Sequence, residues 1–159
     1  MKILLLNNYH YKFGGASAVY LNTANLLEKM GHQVVFFSLL DTNNIATDSQ
    51  RYFIEKKVDT KGSVLNKALN FKQYFSNKQS AEKIEELIVN EKPDIAHIHL
   101  FIGGLTPSIL PVLKKYRIPV VYTAHDYRLV CPAYTFLNGD GEICEECRGK
   151  EFYHCIKNR

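Results

Sequence analysis

Apolar and polar positions fall in blocks along this chain, and the blocks set the expected elements. The run Ile3 to Leu6 gives way to the polar segment Asn7-Asn8-Tyr9-His10 and the pair Gly14-Gly15. Beyond it Ala16, Val19, Tyr20, Thr23, Leu26, Leu27 and Met30 recur at helical spacing. This is the pattern of a buried strand, a glycine turn and an amphipathic helix with that stripe turned inward. A strand so short and so continuously apolar calls for helices over both faces. Gly31 supplies a left-handed cap. Gly14-Gly15 stand where the backbone is expected to turn sharply, and the free amides of a helix start can face a phosphate.

Gln33 to Ser38 reads as a second buried strand, and a strand, helix, strand opening predicts a parallel sheet. Residues 39–58 are polar and irregular, a loop with a short strand near Tyr52-Phe53-Ile54. Between Arg51 and Lys83 eight basic residues stand against three acidic ones, around Val64, Leu65, Ala68, Leu69, Phe71 and Phe75. Such a helix is a solvated face or a surface for anionic lipid or a phosphorylated acceptor, and the solvated face is the simpler reading. A helix from Ser80 turns Ile84, Leu87 and Ile88 inward and ends before Pro93.

Asp94 to Leu100 is a third strand, with His97 in the core and His99 on the opposite face, followed by a turn at Gly103-Gly104. Leu105 to Tyr116 is a helix whose start Pro107 and Pro111 leave open. Ile118 to Thr123 is a fourth strand, running into Ala124-His125-Asp126-Tyr127. Polar side chains thus reach the carboxyl edge of the sheet, where open parallel sheets take ligands. Asp126 suits a turn. His125 offers the core little and is the leading candidate for chemistry; for His99 a ligand role and a structural one stay open.

Composition narrows the classes. With 159 residues and 46% hydrophobic content the chain is expected to form one domain, 1–159. A charge of +4, a pI near 8.8 and only 23% charged residues give no basic arm, so a nucleic-acid partner is not expected. The apolar start is shorter than a signal-peptide core and no stretch reaches the length of a membrane span, which points to the cytoplasm.

All four cysteines fall between Cys131 and Cys155, and in a reducing compartment that favours metal over disulfides. Cys144 and Cys147 can clamp one tetrahedral ion, and Cys131 and Cys155 would complete a structural zinc site. Alternatively Cys131 packs alone and His154 or a later residue is the fourth ligand, or the four are free or disulfide-paired. Asn138-Gly139-Asp140-Gly141 reads as the turn of a knuckle-like loop. A redox pair is disfavoured, because Glu145 and Glu146 raise thiol pKa.

Four segments, in this order and at these distances, resemble a known family: Asn7-Asn8-Tyr9 to Gly14-Gly15-Ala16, Lys29 to Val34, Lys92 to His99, and Ile118 to Asp126. Together they resemble the N-terminal domain of retaining glycosyltransferases of family 4. The stretch His125-Asp126-Tyr127 to Cys131-Pro132 is similar to a subgroup with a cysteine-rich insertion, here 131–155. The resemblance implies an α/β Rossmann-like open parallel sheet with helices on both faces, the N-terminal half of a GT-B fold, plus a Cys-rich loop. It implies a hexosyltransferase-type enzyme in the full-length protein, acting on a nucleotide-sugar donor and a polysaccharide or lipid-linked sugar acceptor. The donor-binding C-terminal domain is expected to be absent, so that this fragment alone is inactive.

By the same resemblance Gly14 and Gly15 border the donor phosphates, His99 lies on the cleft side and His125 sits beside the transferring sugar. No catalytic metal is implied. Peripheral contact with the inner face of the membrane is allowed by the basic helix, and oligomeric state is left open. Two other readings compete. A dinucleotide-binding oxidoreductase domain opens alike, but Gly14-Gly15 lacks the Gly-x-Gly-x-x-Gly spacing. A non-catalytic zinc-bearing binding module lacks a basic stripe interleaved with aromatics.

Overall fold

The computed structural model describes residues 1–56, 76–149 and 155. They fall into two compact units, Met1–Thr123 and Ala124–Arg159. The first carries one parallel sheet of β1 (Lys2–Leu6), β2 (Gln33–Phe37), β3 (Ile95–Ile98) and β4 (Val120–Tyr122), in the order β2-β1-β3-β4. Helix α1 (Gly15–Lys29) links β1 to β2, α2 (Lys78–Glu91) precedes β3, and α3 (Ile109–Lys115) links β3 to β4.

Successive strand residues point to opposite faces, and β1 shows it residue by residue. Ile3 and Leu5 pack with Tyr20 and Ala24 of α1. Leu4 and Leu6 pack with Ile84, Leu87 and Ile88 of α2 and with Ile109 and Leu113 of α3. Leu4, Leu5 and Leu6 are fully buried, each contributing about 2 kcal/mol of apolar transfer. The chain is therefore the expected α/β open parallel sheet with helices on both faces.

Several expectations are corrected in detail. The inward face of α1 is Ser17, Tyr20 and Ala24, while Val19, Leu26 and Met30 are 46%, 59% and 63% exposed. Hydrogen bonds to Ser17 and Tyr20 fix which side of the helix turns in, and the stripe rotates to follow them. Helix α2 starts at Lys78 rather than Ser80, because Asn77 caps it by accepting the Ser80 amide at 3.4 Å. It ends at Glu91, with Lys92 as its left-handed C-cap at φ 50, just ahead of Pro93. Pro111 is the third residue of α3, inside the first turn, where its missing N–H costs no hydrogen bond. Near Tyr52 the chain forms a 3-10 turn, Asp48–Tyr52, and only Ile54 makes a strand-like bridge, with Leu39.

The apolar positions from Val64 to Phe75 lie outside the described residues, so the basic helix is not part of this picture. Of its flanks, Arg51 pairs with Glu91, Lys78 with Glu82 and Lys83 with Glu86. No helix among the described residues is long and apolar enough to cross a membrane.

Residues 124–149 of the second unit form mainly turns. Leu137 and Ile143 bridge antiparallel, and Asn138 Oδ1 accepts the amides of Asp140 and Glu142 at 3.0 and 2.9 Å. The expected turn at Asn138-Gly139-Asp140-Gly141 is thus the tip of a small hairpin. A short 3-10 turn, Glu146–Gly149, follows.

Candidate functional site

From β1 the chain passes to α1 on one face of the sheet, and from β3 to α3 on the other. These strands are neighbours, so the segments after their carboxyl ends part company and leave a topological switch point, the usual ligand crevice of such sheets. Asn7 and Asn8 hold its two sides together. Asn7 Oδ1 accepts the Leu100 amide at 3.1 Å, and its Nδ2 donates to Tyr9 O at 2.8 Å and Ser17 Oγ at 3.4 Å. Asn8 Oδ1 accepts the Leu105 amide at 3.0 Å while its Nδ2 donates to Ile102 O at 3.0 Å. Both side chains are buried and their polar atoms satisfied, which makes them framework for the crevice.

The glycines around this crevice divide by cause. A Cβ on Gly104 would stand 2.7 Å from Asn8 Cγ and 2.9 Å from Leu39 Cδ1, so packing alone demands glycine there. At Gly14 and Gly15 a Cβ would meet no described atom within 4 Å. The chain bends at Gly14, yet its backbone there is extended at φ −175, a conformation open to any residue, so backbone strain does not call for glycine. What the pair leaves is open space at the start of α1, where no side chain caps the helix and no acidic residue occupies the first turn.

Beside this opening, Tyr9 and Phe13 stack at 4.4 Å between ring centroids, with Tyr11 edge-on to both. Phe13 is 63% exposed, and the Tyr11 hydroxyl donates to Asp41 Oδ2 at 3.3 Å. Sequence periodicity gave no reason to single out these aromatics or Asn7 and Asn8. The available signal was their density directly after a strand end.

Deeper in, His10 Nδ1 and the Tyr20 hydroxyl share a hydrogen bond of 2.8 Å. Burial lowers the His10 pKa to about 4 and pushes the Tyr20 phenol well above its ordinary value. His99 is fully buried, its ring 5.5 Å from that of Tyr20 and 4.4 Å from that of His97. The expectation that His97 and His99 face opposite ways is therefore wrong: positions two apart along a strand share a face. His97 Nε2 and Thr123 Oγ1 share a 2.7 Å hydrogen bond, which fastens the end of β4 to β3.

In the second unit His125 is half-buried, and burial lowers its pKa against a smaller opposing pull from Asp126. Its imidazole is neutral near pH 7. Asp126 is a turn residue as read: Oδ1 accepts the Arg128 amide at 2.9 Å and Oδ2 pairs with the Arg128 guanidinium at 3.2 Å. All four cysteines are free thiols, with Cys131 buried and Cys147 Sγ 3.9 Å from Cys155 Sγ. Burial raises the Cys147 pKa, as do Cys155, Cys144 and Cys131 around it. Among the described residues no three His, Cys, Asp or Glu stand together as a ready metal cage, and His154 lies outside them.

Fold and crevice thus define a doubly wound α/β domain with a crevice at the strand ends, beside an uncapped glycine helix start. Sequence comparison narrows the class. Residues 13–140 match Glycosyltransferase Family 4, and the chain belongs to that family. Gly14, Gly15, His99, His125 and Cys131 fall inside the matched region; Cys144, Cys147 and Cys155 lie beyond it. A Klebsiella pneumoniae protein described as an "Uncharacterized 42.6 kDa protein in cps region" is 30% identical over 145 residues, 83% of this chain and 38% of that protein. The chain therefore spans well under half the length of this curated relative. Among solved structures, the C-terminal domain of a Pyrococcus furiosus hydrogenase is 18% identical with a TM-score of 0.48, over 77% of this chain and 90% of that one. MurG from Acinetobacter baumannii is 17% identical with a TM-score of 0.46, over 76% of this chain and 34% of the other.

Proposed function

We propose that this chain is the acceptor-side half of a retaining, GT-B-type glycosyltransferase that moves a sugar from a nucleotide-sugar donor to a polysaccharide or lipid-linked acceptor. The observation that carries the reading is the opening at Gly14-Gly15. Open space, uncapped amides and the absence of acidic residues in the first turn suit a donor diphosphate, whose charge grows as the glycosidic bond breaks. His125 serves at the transferring sugar as a neutral imidazole, able to exchange a hydrogen bond or a proton with the reacting hydroxyls. The free face of Phe13, backed by Tyr9, receives an acceptor ring, since flat apolar sugar faces stack on aromatic ones. Most donor contacts belong to a partner domain outside these residues, and no catalytic metal enters the scheme. The "cps region" setting of the Klebsiella relative supports a polysaccharide product. The reading places the enzyme in the cytoplasm, and the basic composition of 51–83 suits peripheral contact with the membrane.

Supplying the full-length gene product with nucleotide-sugar donors and lipid-linked or polysaccharide acceptors tests the reading, with product anomers assigned by NMR. Transfer with retention is expected, reduced about 100-fold or more in His125→Ala, with the thermal melt unchanged. Absence of transfer from every donor, or full activity of that variant, would remove the reading.

A further inference from the structure

The described residues of the second unit show little of what normally holds a peptide of its size together. It runs from Ala124 to Arg159, and units below about 40 residues usually need a disulfide, a metal or a partner to stay folded. Its described residues form one antiparallel bridge and short turns. Among its described residues the buried apolar ones are Cys131 and Ala133, while Tyr127, Leu129, Val130, Tyr134, Leu137 and Ile143 are 44% to 79% exposed. Tyr134 and Phe136 adopt left-handed backbone at φ 53 and 56, conformations that cost energy for residues with side chains. Among the described residues, neither apolar burial nor a ladder of strand hydrogen bonds accounts for the hold on this segment.

Its cysteines provide a different means. Cys147 and Cys155 place their sulfurs 3.9 Å apart. That is too far for a disulfide bond of about 2.05 Å. It matches the edge of a tetrahedron with metal–sulfur bonds of about 2.3 Å, which is about 3.8 Å. Cys144 is tied to the hairpin, its amide donating to Phe136 O at 2.7 Å, and Cys131 is held by its own amide on Tyr127 O at 2.8 Å. Cys131 and Cys144 therefore anchor different parts of the unit, and one ion shared with Cys147 and Cys155 would cross-link them.

We propose that residues 124–159 are a metal-stapled module in which Cys131, Cys144, Cys147 and Cys155 bind one zinc ion and folding of the module is coupled to that binding. Cys147 and Cys155 form the preset half of the site, and the ion draws in the other two as their thiols lose protons to solvent. The proposal is independent of sugar transfer and stands or falls without it.

The test uses the whole 159-residue chain, purified without added metal or chelator. Elemental analysis is expected to give about one zinc per chain, falling at least fivefold in the Cys147→Ser/Cys155→Ser double variant. A strong chelator is expected to expose four titratable thiols and open residues 124–159 to protease while 1–123 resists, with zinc restoring protection. Should the double variant fail to fold, cobalt added to the stripped wild-type chain is expected to give a thiolate charge-transfer band. Metal well below one equivalent with four thiols reactive from the outset overturns the proposal, as does a Cys147–Cys155 disulfide in the chain as purified or protease resistance unaffected by chelator.

Discussion

The Tyr20 hydroxyl meets His10 Nδ1 at 2.8 Å in a pocket walled by Phe36 and Phe53, whose rings lie 4.6 and 5.3 Å from the imidazole. This contact joins the loop after β1 to the buried face of α1, so the mouth of the crevice is tied to the helix that begins there. It also gives the fold a dependence on pH. A histidine with pKa about 4 in the folded chain and about 6.5 unfolded binds fewer protons when folded. Its contribution is intact above pH 6.5 and is lost as pH falls toward 4, by at most about 3 kcal/mol. Urea melts from pH 7 to 4 should show this decline, and His10→Gln should flatten it over that window. An unchanged slope in the variant would assign the titration elsewhere.

At Gly104 the expected effect is steric. Alanine there must push aside the Asn8 carboxamide, which would then lose its bonds to the Leu105 amide and the Ile102 carbonyl. Overpacking of this kind costs about 1–3 kcal/mol, and stranded buried polar groups add to it. Gly104→Ala should therefore lower the urea midpoint, and Asn8→Ala should lower it in its own right. The double variant should cost less than the sum of the two, because the clash and the hydrogen bonds share one partner. Additive losses would show that Asn8 and Gly104 act separately.

Much of this architecture was legible in the pattern of apolar residues, because a parallel sheet covered on both faces writes itself as short apolar runs. Ile3 to Leu6, Gln33 to Ser38 and the strand within Asp94 to Leu100 all fall where the runs put them. The facing of α1 was not legible. Val19, Leu26 and Met30 satisfy helical spacing as well as the residues that are buried, and only the bonds to Ser17 and Tyr20 decide between the two sides. Asn7 and Asn8 read as a polar break in the sequence, yet the Leu100, Ile102 and Leu105 groups they bond lie almost a hundred residues away, and no local window contains that information. His97 and His99 were misassigned by a lapse in strand periodicity, which the pattern itself would have corrected.

Phe13 offers a way to separate acceptor recognition from the chemical step. Its side chain is largely exposed, so Phe13→Ala should change stability by less than about 1 kcal/mol. If an acceptor ring stacks there, the acceptor KM of the full-length enzyme should rise about tenfold, equivalent to about 1.4 kcal/mol. Donor hydrolysis without acceptor should stay at the wild-type rate. Phe13→Tyr should restore the KM, since the ring face is retained. A variant with unaltered acceptor KM would leave the three aromatics as packing for their own loop.

Gly14 and Gly15 allow stability and function to be pulled in opposite directions. Neither backbone conformation demands glycine, and a Cβ at either place has room. Gly15→Ala should stabilise the first turn of α1 by up to about 1 kcal/mol, because alanine gives up less chain freedom on entering a helix. Gly14→Ala should be close to neutral. If that space serves the donor diphosphate, either methyl group intrudes on the ligand, and donor kcat/KM in the full-length enzyme should fall at least tenfold while the melting temperature holds or rises. A catalytic loss accompanied by a lower melting temperature would point instead to packing that the glycines protect, and unchanged kinetics would move the phosphate site away from the start of α1.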